Sequence, residues 1–335
     1  MSAPEVMLAC RKLTVTYEPT GALPLRNRRH AVQALRRVDL DIYSGETLAL
    51  VGESGSGKST LARALVRSIQ PSSGNLVFRG SDITALSGRP LRALRRHLQI
   101  IFQDPFGSLN PRLSVGAAVA EPLIVHGLAR GSELQARVTE CLALVGLDGS
   151  LADRRPHEFS GGQRQRICIA RALACRPEFI AADEVLSALD LSLRGQMLDL
   201  FRQLKERLAL TYLFISHDLG VVRQISDRVA VMYLGRVVEL ASTSELYAHP
   251  MHPYTHALLE AVPIPDPAIE RARHYAPLPG EPPSPANPPS GCAFHTRCPR
   301  AGQRCRTEGP ELRELTPGHW VACHRPHREG PDSVT

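Results

Sequence analysis

The sequence predicts an α/β fold: parallel strands with intervening helices, a sheet buried on both faces, and a small appendage after the main unit. Two observations carry this expectation. Gly52, Glu53, Ser54, Gly55, Ser56, Gly57, Lys58 and Ser59 fill the pattern G-x-x-x-x-G-K-S/T, between an apolar run, Thr47–Val51, and a helix-like run over 60–70 that Pro71 ends. A strand before and a helix after are the setting in which such a loop cradles phosphate rather than serving as a flexible Gly/Ser surface loop. The second observation is an alternation of short apolar runs with helical patterns, interrupted by a helical stretch at about 113–155.

The elements follow in order. Strand-like runs at 8–17 and 38–43 flank a basic loop at 25–29. The cradle strand and helix come next, then strands near 75–78 and 98–102. Within the helical stretch, Leu134, Val138, Cys141, Leu142 and Val145 recur at helical spacing. Strands resume at 178–182 and 211–216, and 228–240 reads as a hairpin turning at Leu234 and Gly235. Residues 276–290 are so rich in proline that neither a helix nor an interior strand can form, which predicts a stiff extended spacer.

Composition narrows the class. A chain of 335 residues holds one large α/β unit plus an appendage, or two modest domains. No apolar run approaches the ~20 residues that cross a bilayer, and the start lacks the basic-then-apolar layout of a secretory signal. Any membrane role is therefore expected to come through partners. The net charge of +7 would suit nucleic acid, but the arginines are scattered, and seven tyrosines, eight phenylalanines and one tryptophan leave little for base stacking. Cys10, Cys141, Cys168 and Cys175 lie in or beside apolar segments and read as buried structural thiols. Cys292, Cys298, Cys305 and Cys323 crowd into the tail with spacing C-x5-C-x6-C-x17-C, which in a reducing compartment reads as metal ligation before disulfides.

Three further motifs carry chemistry. In the cradle, Lys58 can reach the β- and γ-phosphates and the Ser59 hydroxyl suits Mg²⁺. Ser160, Gly161, Gly162 and Gln163 open a helical run; Ser160 and Gln163 alone make a capping box. Each glycine costs ~1 kcal/mol against alanine inside a helix, so the pair makes sense where something must approach the backbone, such as a second phosphate. The apolar run 179–182 ends in Asp183 and Glu184: Asp183 suits Mg²⁺ held through water, and Glu184 can polarise an attacking water. Two acids after a strand are otherwise ordinary surface charge. Asp190 follows, His217 stands at a strand end where its ring could contact a γ-phosphate, and Gln103 stands just after the run 98–102.

Taken in this order, the cradle, Gln103, Ser160 to Gln163, Asp183 with Glu184, Asp190 and His217 closely resemble the nucleotide-binding subunits of ATP-binding cassette (ABC) transporters. The resemblance covers about 5–262. It implies an ABC-type P-loop NTPase fold, with a RecA-like core, an antiparallel β subdomain and an inserted helical subdomain at about 105–175, in a nucleotide-binding domain spanning 1–265. By resemblance, the ATP-binding set takes in residues 52–59, Thr60, Asp190 and Tyr17, which would stack on adenine. Gln103 would link Mg²⁺ and the attacking water to a transporter-facing loop. Ser160 to Gln163 would bind the γ-phosphate of ATP held by the opposite subunit, so hydrolysis would occur in a head-to-tail dimer.

Finer features look like the oligopeptide/dipeptide importer subfamily: the stretch 101–112, His252, Pro253, Tyr254 and Thr255, the Pro-rich 280–285 and the terminal cysteines. Many members carry a four-cysteine module, here 266–335, thought to hold a 4Fe–4S cluster, with zinc as the alternative. The partners implied are two membrane-spanning permease subunits, a second ABC ATPase and an extracytoplasmic substrate-binding protein reached through the permease, with no nucleic acid. The chain would sit peripherally on the cytoplasmic face of the membrane. Where the family usually has proline after the Asp-Glu pair, Val185 stands here, which predicts altered loop stiffness with intact chemistry. A cassette ATPase of translation or DNA repair is disfavoured because neither a second cassette nor a long inserted coiled coil is present. A metal-bearing nucleic-acid binder is the reading that basic charge and four cysteines alone would allow, although zinc favours shorter C-x2-4-C knuckles. The tail, beyond its spacer, is expected to lie away from the ATP motifs.

Overall fold

The computed structural model describes residues 5–18, 31–262, 266, 271 and 278–327. The basic loop at 25–29 and the first two residues of the Pro-rich run lie outside the described residues. In chain order the strands are β1 (Val6–Tyr17), β2 (Val32–Tyr43), β3 (Thr47–Val51), β4 (Ser73–Phe78), β5 (Ser81–Asp82), β6 (Leu98–Ile101), β7 (Phe179–Asp183), β8 (Thr211–Ile215), β9 (Arg228–Tyr233), β10 (Arg236–Ser242), β11 (Arg313–Thr316) and β12 (His319–Val321). Strands β2, β1, β4 and β5, in that order, form a four-stranded sheet whose pairings are all antiparallel. The main sheet runs β11-β12-β10-β9-β3-β8-β7-β6, parallel from β6 to β9 and antiparallel beyond.

Every residue of β3, β7 and β8 is buried, as a parallel strand covered on both faces requires. Alternation along the strands divides the core. Ile180, Ala182, Tyr212 and Phe214 pack with the helical segment and the Leu191–Leu208 helix. Phe179, Ala181, Leu213 and Ile215 pack on the other side with the antiparallel sheet and the Lys58–Leu65 helix. The helical segment comprises helices Val115–Val125, Gly131–Leu144 and Gly161–Leu173 with a 3-10 turn at Gly149–Asp153. Cys10, Cys141, Cys168 and Cys175 are buried, and burial pushes their thiols up, to about 12 for Cys10 and about 11 for the other three. Inert structural thiols are the result. Among the described residues, no helix is long and apolar enough to cross a membrane.

Three sequence expectations change. The cradle helix ends at Leu65, not at residue 70. Arg67 turns out of it at φ 55°, is buried, and donates to the carbonyls of Ile83 (3.0 Å) and Leu86 (2.9 Å) and to Gln70 Oε1 (2.9 Å). A buried guanidinium needs those acceptors, and reaching them ends the helix. Strand β2 begins at Val32, six residues earlier than its apolar run, because pairing with β1 rather than burial sustains it. The third change concerns the tail, which does not hang beyond its spacer. Strand β12 pairs with β10 (Glu239 opposite Val321, Leu240 opposite Trp320), so the main sheet crosses the expected 265/266 boundary.

Beneath that junction lies Glu239, fully buried. Its carboxylate accepts the Met251 N–H (2.7 Å) and the His252 N–H (2.9 Å) and meets His319 Nε2 at 2.7 Å. A buried carboxylate is costly unless its lone pairs are satisfied, and here the tail's His319 satisfies one of them. Removing that partner with Glu239 left in place is expected to be costly: His319→Ala should lower stability by ~3 kcal/mol, read as a lower denaturant midpoint, whereas Arg304→Ala at an exposed ion pair should leave the midpoint where it is.

Candidate functional site

The phosphate loop leaves the end of β3, Asp183 is the last residue of β7, and Ser216 with His217, and Gln103, follow the ends of β8 and β6, all on one edge of the parallel sheet. Carboxyl ends of parallel strands are where α/β folds gather ligand-binding groups. Gly52 is required for two reasons: its φ is 145°, and a Cβ there would lie 2.2 Å from the Met232 carbonyl oxygen. Gly57 (φ 105°) leads into the Lys58–Leu65 helix, whose first turn has neither a side-chain cap nor an acidic residue. Its free N–H groups leave a partial positive charge at the loop.

Lys58 is buried, and its Nζ donates to the carbonyls of Gly52 (2.7 Å) and Glu53 (2.9 Å). Burial lowers its pKa, against the opposing pull of Glu184, Asp183 and Glu53. Ser59 Oγ donates to Asp183 Oδ1 at 2.9 Å, joining loop and strand end. Burial raises the pKa of Asp183, with the Ser59 hydrogen bond opposing. An adjacent hydroxyl and carboxylate, both oxygen donors, suit a hard cation such as Mg²⁺.

Glu184 adopts φ 50°, outside the common backbone regions, a cost of order 1 kcal/mol of the kind concentrated at functional sites. Its N–H donates to Ile215 O (3.1 Å), and its carbonyl accepts both the N–H (3.1 Å) and the hydroxyl (2.8 Å) of Ser187. The turn is thus closed without a proline; Val185, buried in the core, packs where the expected ring is missing. The Glu184 carboxylate accepts from Gln103 Nε2 (2.9 Å), and His217 Nδ1 lies 3.7 Å from it. Three residues spread over 114 positions of sequence thus meet around one carboxylate. Tyr17 stands half exposed, its hydroxyl 3.4 Å from Thr60 Oγ1, two residues past Lys58.

The remaining expected residues make local contacts of their own. Ser160 and Gln163 do form a capping box: Ser160 Oγ accepts the Gln163 N–H (3.3 Å) and Gln163 Oε1 accepts the Ser160 N–H (3.0 Å). Gly162 has a packing reason, since a Cβ would come within 3.2 Å of Leu193 Cδ1. Gly161 has none: a Cβ there would meet nothing within 4 Å. Asp190 caps the Leu191–Leu208 helix, accepting the Leu193 N–H at 2.9 Å, and that bond, first among the causes, lowers its pKa.

Cys292, Cys298, Cys305 and Cys323 are unbridged and line one cavity of about 10 Å³, with His295 and His324 at its wall. Burial raises the pKa of Cys292 and Cys298 and pushes that of Cys323 to about 11. Among the described residues, no three His, Cys, Asp or Glu side chains are set closely enough to hold a metal ion. The thiol spacing found the cavity but missed its neighbours. Arg297, between two of the cysteines, reaches Glu53 of the phosphate loop at 2.8 and 3.1 Å, so the tail is not remote from the ATP motifs. Tyr254, in a stretch whose only sequence signal was subfamily resemblance, accepts the Glu53 N–H at 2.8 Å.

Residues 35–187 match the ABC transporter family, and 238–305 match the oligopeptide/dipeptide transporter C-terminal region. A putative peptide import ATP-binding protein of Brucella ovis is 52% identical over 319 residues, covering 95% of this chain and 98% of the relative. The oligopeptide transport ATP-binding protein AppF of Bacillus subtilis is 52% identical over 294 residues, 88% of this chain and 89% of its own. Among solved structures, the ATP-binding cassette MJ0796, dimeric and bound to ADP and Pi after hydrolysis, matches with a TM-score of 0.62 and 31% identity, covering 71% of this chain and 99% of that one. The cassette cbiO1 of Clostridium perfringens, part of the transporter complex cbiONQ, matches with the same TM-score at 28% identity, over 73% and 91%. By this identity along nearly its whole length, the chain belongs to the ABC transporter family, as an ATPase of the oligopeptide/dipeptide transporter type.

Proposed function

We propose that this chain is the ATP-hydrolysing subunit of an importer for dipeptides or oligopeptides, working at the cytoplasmic face of the membrane. It docks on two membrane-spanning permease subunits, pairs with a second ABC ATPase, and draws substrate from an extracytoplasmic binding protein through the permease. The observation that carries this is the union, in one chain, of the phosphate-loop site with the oligopeptide/dipeptide transporter tail. Lys58 and the uncapped helix start hold the β- and γ-phosphates, Tyr17 stacks on adenine, and Gly52 to Thr60 supply the backbone cradle. Ser59 and Asp183 hold Mg²⁺, which when bound neutralises phosphate charge; Gln103 completes the set. Glu184 orients the attacking water and accepts its proton, with Gln103 and His217 fixing the carboxylate and His217 facing the γ-phosphate. Ser160, Gly161, Gly162 and Gln163 act on ATP held by the opposite subunit, and Asp190 belongs to the ATP-binding set. The dimeric cassette bound to ADP and Pi supports that arrangement. Cells carrying Glu184→Gln in place of the native chain should take up labelled di- and tripeptides no faster than cells lacking it, while free amino acids enter normally. Normal peptide uptake would sink the transport role.

For the tail, we propose that Cys292, Cys298, Cys305 and Cys323 ligate a metal centre, a 4Fe–4S cluster rather than zinc. Four thiols line one cavity, a donor set that suits either metal, and the match of 238–305 to the oligopeptide/dipeptide transporter C-terminal region is what favours the cluster. The thiols as they stand are not set closely enough to hold a metal, so binding would have to draw them together. Anaerobically purified protein should be brown and contain about four irons per chain. Colourless protein with one tight zinc would replace the cluster by zinc, and metal-free protein with a stable tail would remove the metal altogether.

A further inference from the structure

Glu53, the second residue of the phosphate loop, is held at both ends by groups outside the ATP motifs. Its N–H donates to the Tyr254 hydroxyl at 2.8 Å. Its carboxylate takes both arms of the Arg297 guanidinium, 2.8 Å at Oε2 and 3.1 Å at Oε1, with Arg297 only 7% exposed. The third side of that guanidinium, Nε, donates to Pro279 O at 3.3 Å, pinning the proline-rich spacer. Phe294, three residues earlier and fully buried, seats its ring 5.2 Å from Tyr233 and 5.3 Å from Tyr254. The loop between Cys292 and Cys298 therefore forms the back wall of the phosphate loop.

The consequence is electrostatic as well as steric. Lys58 donates to the Glu53 carbonyl at 2.9 Å, so the placing of residue 53 also places that carbonyl against the lysine. The Glu53 charge acts on Lys58 too. A planar guanidinium that grips a carboxylate by both oxygens fixes its orientation and neutralises its charge, which a lysine does less well. Freed from Arg297, the Glu53 carboxylate would set an unbalanced negative charge beside the bound phosphates and compete with them for Lys58.

We propose that Arg297 is a positioning residue of the ATP site: acting through Glu53, it orients the phosphate loop and cancels the one acidic charge in it. The tail is thereby a working part of the nucleotide site. This rests on the ATP reading above, and Lys58→Ala, which should lose nucleotide binding, tests that reading separately in the same assay. The assay is equilibrium binding of a fluorescent ATP analogue to the full chain, with alkylation of the tail thiols and turnover measured alongside. Arg297→Gln should bind about tenfold more weakly, with turnover at saturating ATP changed less than affinity. Adding Glu53→Gln to it should restore most of the affinity, a rescue that a merely unfolded tail would not allow. Arg297→Lys, the less disruptive probe, keeps the charge and loses the fork, and should bind about threefold more weakly. Arg304→Ala, in the same tail, should bind as the parent does. Parental affinity in Arg297→Gln or in Arg297→Lys, or a loss in Arg297→Gln that Glu53→Gln leaves unrepaired, would overturn the proposal.

Discussion

Glu184→Gln is expected to lower ATP turnover at least ~100-fold while ATP binding stays within about twofold of the parent, the size that loss of a general base imposes on chemistry alone. The substitution is nearly isosteric, so the turn closed by Ser187 and the unusual backbone at φ 50° should persist. Gln103 keeps an acceptor, since its amide can bond an amide oxygen as it bonds Oε2 at 2.9 Å. What disappears is the carboxylate that could take a proton from water and the charge 3.7 Å from His217. The groups assigned to the phosphates and Mg²⁺, namely Lys58, Ser59 and Asp183, are untouched and joined by bonds of their own. Hydrolysis blocked after binding should also trap the ATP-bound dimer, visible as a species of doubled mass in size-exclusion chromatography with ATP. Phosphate release at the parental rate would show that Glu184 is not the base.

Much of this site could be read from the chain because its chemistry is written in short, local patterns. The loop needs glycine at 52 and 57 for backbone reasons and lysine at 58 for charge, so eight consecutive residues announce it. The runs Thr47–Val51 and Phe179–Asp183 announce buried parallel strands, since no solvent face breaks them. The turn at Leu234 and Gly235 (φ 43° and 78°) was equally local. What stayed hidden were contacts between segments far apart in sequence. Arg67 ends its helix because of carbonyls at 83 and 86, which no helix propensity reports. The Arg297 to Glu53 bridge spans 244 positions, and the β10 to β12 pairing joins 240 to 320. A cysteine spacing says that four thiols share a purpose; it does not say which wall of the protein they stand against. The Pro-rich spacer misled for the same reason, because a stiff run gives length but not direction.

The segment Ser160 to Gln163 carries the second large effect. Ser160→Arg should leave nucleotide binding to the separate chain within about twofold, yet cut hydrolysis at least ~100-fold, because Ser160 and Gln163 bond each other and Gly162 packs on Leu193, none of them a residue of the phosphate loop. The capping box explains Ser160 and Gln163, and packing on Leu193 explains Gly162. Neither explains Gly161, exposed with open space where a side chain would stand, in the first turn of a helix where glycine costs ~1 kcal/mol. A partner's triphosphate approaching the backbone there would account for it, and a long arginine at 160 would occupy the approach. Loss of the cap alone costs ~1 kcal/mol, and a helix with eight buried residues among its thirteen should withstand that. Ser160→Ala separates the two effects: it removes the cap without bulk, and should retain much more activity than Ser160→Arg. In a Glu184→Gln background, Ser160→Arg should abolish the ATP-dependent dimer in size-exclusion chromatography, whereas Ser160→Ala should keep it. If the Ser160→Arg, Glu184→Gln protein dimerised with ATP as fully as Glu184→Gln alone, the segment could not be acting across the dimer, and Gly161 would need another reason.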